Sequence, residues 1–100
     1  MVKKVIVADD TERWRRIYAN SVKNAFPDVL VDQVETGEDL IDHVLQGDYS
    51  LVISDNDMEV KNAGLDALVR IRGSGNTVPF YLVSGGTSAV AITAFHHGAY

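Results

Sequence analysis

Three apolar runs in this sequence, at positions 5–8, 51–54 and 80–83, are each followed by side chains that can do chemistry. These side chains are, in chain order, Asp9 and Asp10, then Asp55 and Asp57, then Ser84. Carboxylates that are packed together repel one another, and the cluster is costly unless a cation is present. The natural partner is a hard divalent ion such as Mg²⁺, which prefers oxygen ligands.

A carboxylate beside such an ion can act as a nucleophile toward phosphorus. The ion neutralises the phosphoryl oxygens and holds the group in line for attack. In this arrangement Asp55 is the candidate acceptor, and the hydroxyl of Ser84 is placed to donate a hydrogen bond to a phosphoryl oxygen.

The same acidic residues also have a structural interpretation. Acids at strand ends often serve only as helix caps or turn residues. Asp10 alone, or Asp57 alone, fits that role equally well. The combination of Asp9, Asp10, Asp55 and Ser84 at matching strand ends favours the chemical interpretation.

Four strands are predicted to position these groups. The run Val5–Ala8 is apolar on both faces, as expected where helices cover both sides of a parallel sheet. Val29–Val34 alternates apolar and polar residues, which is typical of a half-covered edge strand. Leu51–Ser54 and Phe80–Val83 are the third and fourth strands.

Four helices are predicted between and after the strands, from apolar residues at helical spacing. The first is capped by Asp10 or Thr11 and ends before Pro27, which forbids continuation. The second begins at the turn Thr36-Gly37 and ends at Gly47. The third follows Gly64, and the fourth spans about 88–95. The predicted buried faces are Trp14, Ile17, Tyr18, Val22 and Ala25; then Leu40, Ile41, Val44 and Leu45; then Leu65, Leu68, Val69 and Ile71.

The predicted order is therefore βαβαβαβα, which indicates an α/β fold. Right-handed crossovers give a doubly wound parallel sheet with helices on both faces. In such a sheet all the carboxyl ends lie along one edge, where ligands bind. Topology alone is thus expected to bring the acids and Ser84 together.

Composition narrows the class of protein. One hundred residues, 46% of them hydrophobic, are enough for one soluble domain, predicted here as 1–100. The formal net charge of −5 argues against nucleic-acid binding, and Arg13, Arg15 and Arg16 are interpreted as a solvated helix face. No apolar run is long enough to span a membrane, and the N-terminus does not resemble a secretory signal, so we expect a cytoplasmic protein. Without cysteine there are no disulfides.

At these residues the chain resembles the response-regulator receiver domains of two-component signalling. The resemblance rests on the runs Val5-Ile6-Val7-Ala8-Asp9-Asp10, Leu51 to Met58, Tyr81-Leu82-Val83-Ser84-Gly85 and His97-Gly98-Ala99-Tyr100. It implies a flavodoxin-like sheet with strand order 2-1-3-4. It covers the whole chain, about the first four-fifths of such a domain.

The resemblance also implies roles for single residues. A histidine kinase or phosphotransfer protein would phosphorylate Asp55. The side chains of Asp10 and Asp55 and the backbone carbonyl of Asp57 would bind Mg²⁺, with Asp9 acting through water. Ser84 would be the switch hydroxyl that moves toward the phosphoryl group and signals to the next helix. The domain would act by protein contact and would not be an enzyme beyond slow self-catalysed phosphoryl transfer.

The sequence departs from the family pattern in three places. Glu59 stands where the family usually has proline, and Gly64 lies one position farther from Asp55 than usual. The family's fifth strand and fifth helix are not found before Tyr100. The family's lysine and aromatic switch residue, which belong to that region, are not found either. None of Lys3, Lys4, Lys23 and Lys61 matches that lysine by pattern, although Lys61 lies on the loop after Asp55.

A sheet without a fifth strand would leave the strand 80–83 at its edge. Apolar edge strands with unpaired backbone groups favour association with another chain. We therefore expect a homo-oligomer formed through this strand or an exchanged segment.

Two other functions remain open at this stage. One is a pseudo-receiver, a protein-interaction or dimerisation module that keeps the fold but takes no phosphate. The other is a phosphatase similar to the haloacid dehalogenase superfamily, since Asp55-Asn56-Asp57 matches its D-x-D motif. Those enzymes place the nucleophile on the first strand, whereas two strands precede it here.

Overall fold

A computed structural model describes residues 3–83 of the chain. Its four strands are β1 (Lys4–Ala8), β2 (Leu30–Val34), β3 (Leu51–Asp55) and β4 (Phe80–Val83). They form one parallel sheet in the order β2-β1-β3-β4. The predicted doubly wound α/β fold and strand order are confirmed, and β2 is an edge strand as its alternating pattern indicated.

Three helices connect the strands: α1 (Glu12–Ala25), α2 (Gly37–Gln46) and α3 (Ala63–Gly73). Thr36 caps α2 by accepting a hydrogen bond from the Asp39 amide at 3.1 Å, and Gly47 is its C-cap. Thr11 occupies the N-cap position of α1, but its side chain makes no capping bond. The Asp9 carboxylate accepts the Thr11 amide instead, at 2.9 Å.

The main core lies between the sheet and the α2–α3 layer. Residues of β1, β3 and β4 that point to this face pack against apolar residues of both helices. The fully buried members of this layer include Ile6, Leu40, Val44, Val52, Leu68, Ile71 and Phe80. Two residues of the predicted faces are exposed instead, Leu45 on α2 and Val69 on α3, so those faces are narrower than the sequence pattern suggested.

Helix α1 packs on the other face of the sheet, and fewer of its side chains are buried than predicted. Only Ala19 of α1 is buried. Trp14 is 48% exposed and Ile17 is also exposed, with the Trp14 ring stacked on that of Tyr18 at 6.0 Å between centroids. The expectation that these side chains form a buried helix face was wrong for Trp14, Ile17 and Ala25, because among the elements of residues 3–83 α1 contacts only β1 and β2 extensively.

Several predictions concern residues outside 3–83. They are the hydroxyl of Ser84, the helix at 88–95 and the absence of a fifth strand and helix, and they stay predictions. In the described part of the chain, no helix has both the length and the apolar character needed to cross a bilayer.

Candidate metal centre

The topology brings three carboxylates together at the carboxyl edge of the sheet. Ala8 pairs with Ser54, so the residues that follow on β1 and β3 lie side by side. Asp9, Asp10 and Asp55 each offer one oxygen, and these oxygens all lie within 4.8 Å of one another. Asp9 is buried, Asp55 is half-buried and Asp10 is exposed. The cluster is thus exposed to solvent on the side of Asp10 and buried on the side of Asp9.

Asp9 is held in place by hydrogen bonds to β2, to α1 and to the residue that precedes α1. Its amide donates to the carbonyl of Val34 at 3.2 Å, and its carboxylate accepts the Thr11 amide. Its backbone carbonyl accepts a hydrogen bond from Nη1 of Arg15 at 2.8 Å. Arg15 also pairs with Glu35 at 3.6 Å. These bonds leave one Asp9 carboxylate oxygen available to the cluster.

Arg15 therefore corrects one prediction. Its side chain is only 11% exposed and belongs to the support of the site, not to a solvated helix face. Arg16, by contrast, is exposed and forms an ion pair with Glu12 at 3.9 Å. No sequence signal distinguished Arg15 from Arg13 and Arg16, because its partner at the site is a backbone carbonyl.

The electrostatics of the cluster show crowded negative charge. Burial raises the pKa of Asp55 above its ordinary value, and the charge of Asp9 raises it further, with smaller contributions from Asp10 and Asp57. Burial likewise raises the pKa of Asp9, despite the hydrogen bond from Thr11. A cation among these oxygens would relieve both effects.

A pH dependence of stability follows from these shifts in the metal-free protein. Both folded-state pKa values lie above the ordinary value of 3.8, so the folded protein binds more protons than the unfolded chain in this range. These two groups therefore lower the stability as pH rises from about 4 through their raised pKa values. We expect Asp55→Asn to become progressively more stable relative to wild type from about pH 4 to pH 7.

Urea denaturation in the presence of a chelator, repeated across this range, measures that difference. A stability difference between wild type and Asp55→Asn that does not change with pH would contradict the crowding of charge described here.

The loop from β3 to α3 is fixed by the buried side chain of Asn56. Its amide nitrogen donates to Oδ1 of Asn62 at 2.9 Å, and its Oδ1 accepts the Leu65 amide at 3.0 Å. Asn62 adopts a left-handed conformation with φ of 61°, and its amide donates to the Asp57 carboxylate at 2.9 Å. The side chain of Asp57 thus closes the loop, which is compatible with the predicted use of its backbone carbonyl, not its carboxylate, as a ligand.

Glu59 has a structural role that the sequence did not reveal. Its two carboxylate oxygens each accept the amide of Gly37 at 2.8 Å, at the first residue of α2. The residue that replaces the family's usual proline therefore ties the loop to a neighbouring helix. Carboxylates at a helix N-terminus are stabilised by the helix dipole.

The lysines lie away from the cluster or on its flank. Lys4 lies 3.8 Å from Asp32, with its amine above the ring of Tyr49. Lys61 is exposed on the loop before α3. Within residues 3–83, no lysine makes an ion pair with Asp9, Asp10 or Asp55.

Tyr18 is a second residue near the site that sequence reasoning assigned only to the core. Burial raises the pKa of its phenol, and the negative charges of Asp9 and Asp55 raise it further. The phenol of this α1 residue is therefore within the electrostatic influence of the carboxylate cluster. Nothing in the helical spacing of Tyr18 distinguishes this position from an ordinary core residue.

The residues present fit a hard divalent cation. Three carboxylate oxygens converge, one flank is open for water or substrate, and the donor set is entirely oxygen. Such a centre at the end of a parallel sheet is where the topology of this fold places ligands.

The profile of the family described as "Response regulator receiver domain" matches residues 5–100. The chain belongs to this family. A two-component response regulator of rice (Oryza sativa subsp. japonica), named ORR41, is 33% identical to this receiver over an alignment of 94 positions, which covers 92% of this chain and 73% of that protein.

Solved structures show the same fold. The response regulator TrrA of Thermotoga maritima, crystallised in complex with Mg²⁺ and BeF, has a TM-score of 0.83 at 21% identity. The match covers 98% of this chain and 84% of that one. The receiver domain of the histidine kinase CKI1 of Arabidopsis thaliana, complexed with Mg²⁺ and BeF₃⁻, has a TM-score of 0.76 at 22% identity, covering 97% of this chain and 76% of that one.

Proposed function

We propose that this receiver accepts a phosphoryl group on Asp55 from a histidine kinase or phosphotransfer protein, in a reaction that depends on Mg²⁺. The observation that carries the proposal is the convergence of Asp9, Asp10 and Asp55 within 4.8 Å. Family membership and the similarity in fold to two receivers solved with Mg²⁺ support it.

Different residues of the chain would bind the ion, accept the phosphoryl group and position the ligands. Asp10, Asp55 and the backbone carbonyl of Asp57 would hold the ion, with Asp9 acting through water. When bound, Mg²⁺ supplies neutralising charge for the phosphoryl oxygens. An ionised oxygen of Asp55 attacks phosphorus, the bond from phosphorus to the donor's nitrogen breaks, and the electron pair of that bond stays with the donor. Arg15 keeps Asp9 in position through its backbone carbonyl.

Phosphorylation by a small donor tests the proposal. Wild-type protein incubated with acetyl phosphate and Mg²⁺ is expected to gain the mass of one phosphoryl group, and hydroxylamine is expected to remove it. Asp55→Asn should gain none. Asp57→Asn, which makes the same change of charge two residues away and keeps an oxygen for the Asn62 amide, should still be phosphorylated.

The same null result for wild type and Asp55→Asn would favour the second candidate, a pseudo-receiver that acts only as an interaction module. The observation that favours this alternative is electrostatic. Within residues 3–83, no ion pair joins a lysine or arginine to the three clustered carboxylates, and Arg15, whose charge acts on Asp9, is already bound to the Asp9 carbonyl and to Glu35.

We further propose that the protein is a phosphoacceptor without enzymatic turnover and that it acts in the cytoplasm by contact with other proteins. Repeated hydrolysis of a generic phosphate ester, in place of a single modification per chain, would contradict the first part. The match to the receiver family, together with a nucleophile on the third strand, favours this function over a phosphatase.

Self-association through β4 is the expected result at tens of micromolar. In the described part of the chain β4 lies at the edge of the sheet, and Tyr81 on it is 52% exposed. Edge strands pair readily with a second chain, and charge on them opposes pairing. Sedimentation velocity should show a dimer that Tyr81→Lys weakens, and a stable monomer at these concentrations would contradict the proposal.

A further inference from the structure

The contact between Glu59 and helix α2 joins two parts of the molecule that the family resemblance did not connect. Both carboxylate oxygens of Glu59 lie 2.8 Å from the amide nitrogen of Gly37, and one of them lies 3.4 Å from the amide of Glu38. Charge-assisted hydrogen bonds from backbone amides to a carboxylate are stronger than neutral ones. The loop after Asp55 is thus attached to the first turn of α2.

The other end of this loop is attached to the metal centre. Asp57, the residue whose backbone carbonyl is the proposed ligand, precedes Glu59 by two positions, a separation of at most about 7 Å along the chain. Asn56 fixes the start of the loop to its end through Asn62, so the segment between them has little slack. We expect a displacement of the Asp57 backbone to reach Glu59, because Asp57 and Asn56 are both hydrogen-bonded to Asn62 at the end of the loop.

The first turn of α2 in turn contacts α3. A β-carbon at Gly37 would lie 3.0 Å from the carbonyl oxygen of Ala63, which shows how closely the helices approach there. Farther along, Glu38 forms an ion pair with Arg70 at 2.6 Å. Beside these contacts is a cleft of about 210 Å³ whose lining includes Glu59, Val60 and Ile41. Glu59 therefore forms part of the wall of a surface cleft as well as the link to the metal centre.

We propose that Glu59 couples the metal centre to the surface formed by the first turn of α2 and by α3. Binding of the ion would alter the hydrogen bonds between Glu59 and the Gly37 amide, and through them the contacts between these two helices. The inference rests on the proposed function, because it requires the Asp57 carbonyl to be drawn to an ion at the cluster. It adds an exit route for the signal that runs through α2 and is separate from the switch hydroxyl proposed at Ser84. Because coupling is reciprocal, removing the link changes the affinity for the ion as well.

Amide chemical shifts during a titration with Mg²⁺ alone test the coupling. In wild type, the amides of Asn56 and Gly37 should shift together and give the same dissociation constant. In Glu59→Ala the Asn56 amide should still shift, whereas the response of the Gly37 amide should be lost. The dissociation constant for Mg²⁺ should rise about two- to fivefold, the range set by one exposed carboxylate at a helix N-terminus.

Asp39→Asn is the matched control. It removes one negative charge from the first turn of α2, the turn that Glu59 contacts. Among the described residues, the Asp39 carboxylate makes no hydrogen bond to the loop. Its Gly37 amide should respond to Mg²⁺ as in wild type. A loss of the Gly37 response in this variant as well would show that net charge near α2, and not the Glu59 contact, is responsible.

The outcomes separate this inference from the function it rests on. If the Asn56 amide of wild type does not respond to Mg²⁺, the metal centre itself fails. If Asn56 responds while Gly37 is silent in wild type, or if Gly37 responds equally in wild type and Glu59→Ala, the metal centre stands and the coupling through Glu59 is overturned.

Discussion

Gly64→Ala is expected to destabilise the receiver by about 3 kcal/mol. Gly64 lies in the first turn of α3, where the helix meets the end of β3. A β-carbon there would overlap the carbonyl oxygen of Asp55 and approach Cα of Asn56 to 2.9 Å. Both are backbone atoms, so no side-chain rotation can relieve the contact. Either α3 or the end of β3 has to move.

Urea denaturation compares this variant with Gly73→Ala, which adds the same methyl group at the other end of the same helix. A β-carbon at Gly73 meets no atom of residues 3–83 within 4 Å. That variant should be neutral or more stable by up to about 1 kcal/mol, since alanine reduces the entropy of the unfolded chain. Equal effects at the two positions would show that α3 does not approach β3 as closely as described.

Gly64→Ala should also impair phosphorylation more than its effect on stability explains. The backbone that has to move includes the carbonyl of the acceptor residue and the start of the loop that carries Asp57. Phosphorylation of the variant at a temperature where it remains folded measures this second effect. An unchanged phosphorylation rate would place the displacement in α3 alone.

Asp10→Asn is expected to weaken Mg²⁺ binding at least about tenfold, an effect as large as those seen when the support of a metal ligand is removed. Asp10 is the exposed member of the cluster, so its loss removes one charged ligand without disturbing the core. Mn²⁺ replaces Mg²⁺ in the measurement because it is paramagnetic. A titration with Mn²⁺, followed by the broadening of the amide signals around 9–11 and 55–57, gives both the affinity and the place of binding.

The control for this change is Asp28→Asn. Asp28 lies in the connection between α1 and β2, where it lines a surface pocket together with Lys3 and Leu51 at the amino end of the sheet, and its replacement alters the net charge equally. It should bind Mn²⁺ as wild type does. Equal weakening in both variants would mean that the ion is held by the overall charge of −5 and not by a defined centre.

The sequence predicted the sheet well because its strands carry strong and unambiguous patterns. A continuous apolar run identified β1 as a strand covered on both faces, a second run identified β3 as a strand, and the alternation in β2 identified an edge. The convergence of Asp9, Asp10 and Asp55 followed from topology alone. Bounds differed by a single residue, as for β3, which includes Asp55 itself.

The parts that the sequence did not predict depend on contacts between distant segments. Helical spacing placed Trp14 and Ile17 on a buried face, but burial also requires a neighbour, and of the described elements α1 packs mainly on β1 and β2. The roles of Arg15 and Glu59 arise from a backbone carbonyl and a backbone amide, which have no residue-specific signature. Their partners, Asp9 and Gly37, become known only when the chain is folded.

The small buried area of helix α1 has a consequence for local unfolding of the protein. A helix that fully buries only Ala19 should exchange its amide hydrogens through local opening at a lower free energy than strands β1 and β3, which lie within the core. Because Arg15 on this helix holds the backbone of Asp9, each such opening would loosen one wall of the carboxylate cluster. An ion that binds the closed form should therefore slow exchange in α1, a helix that supplies none of its ligands.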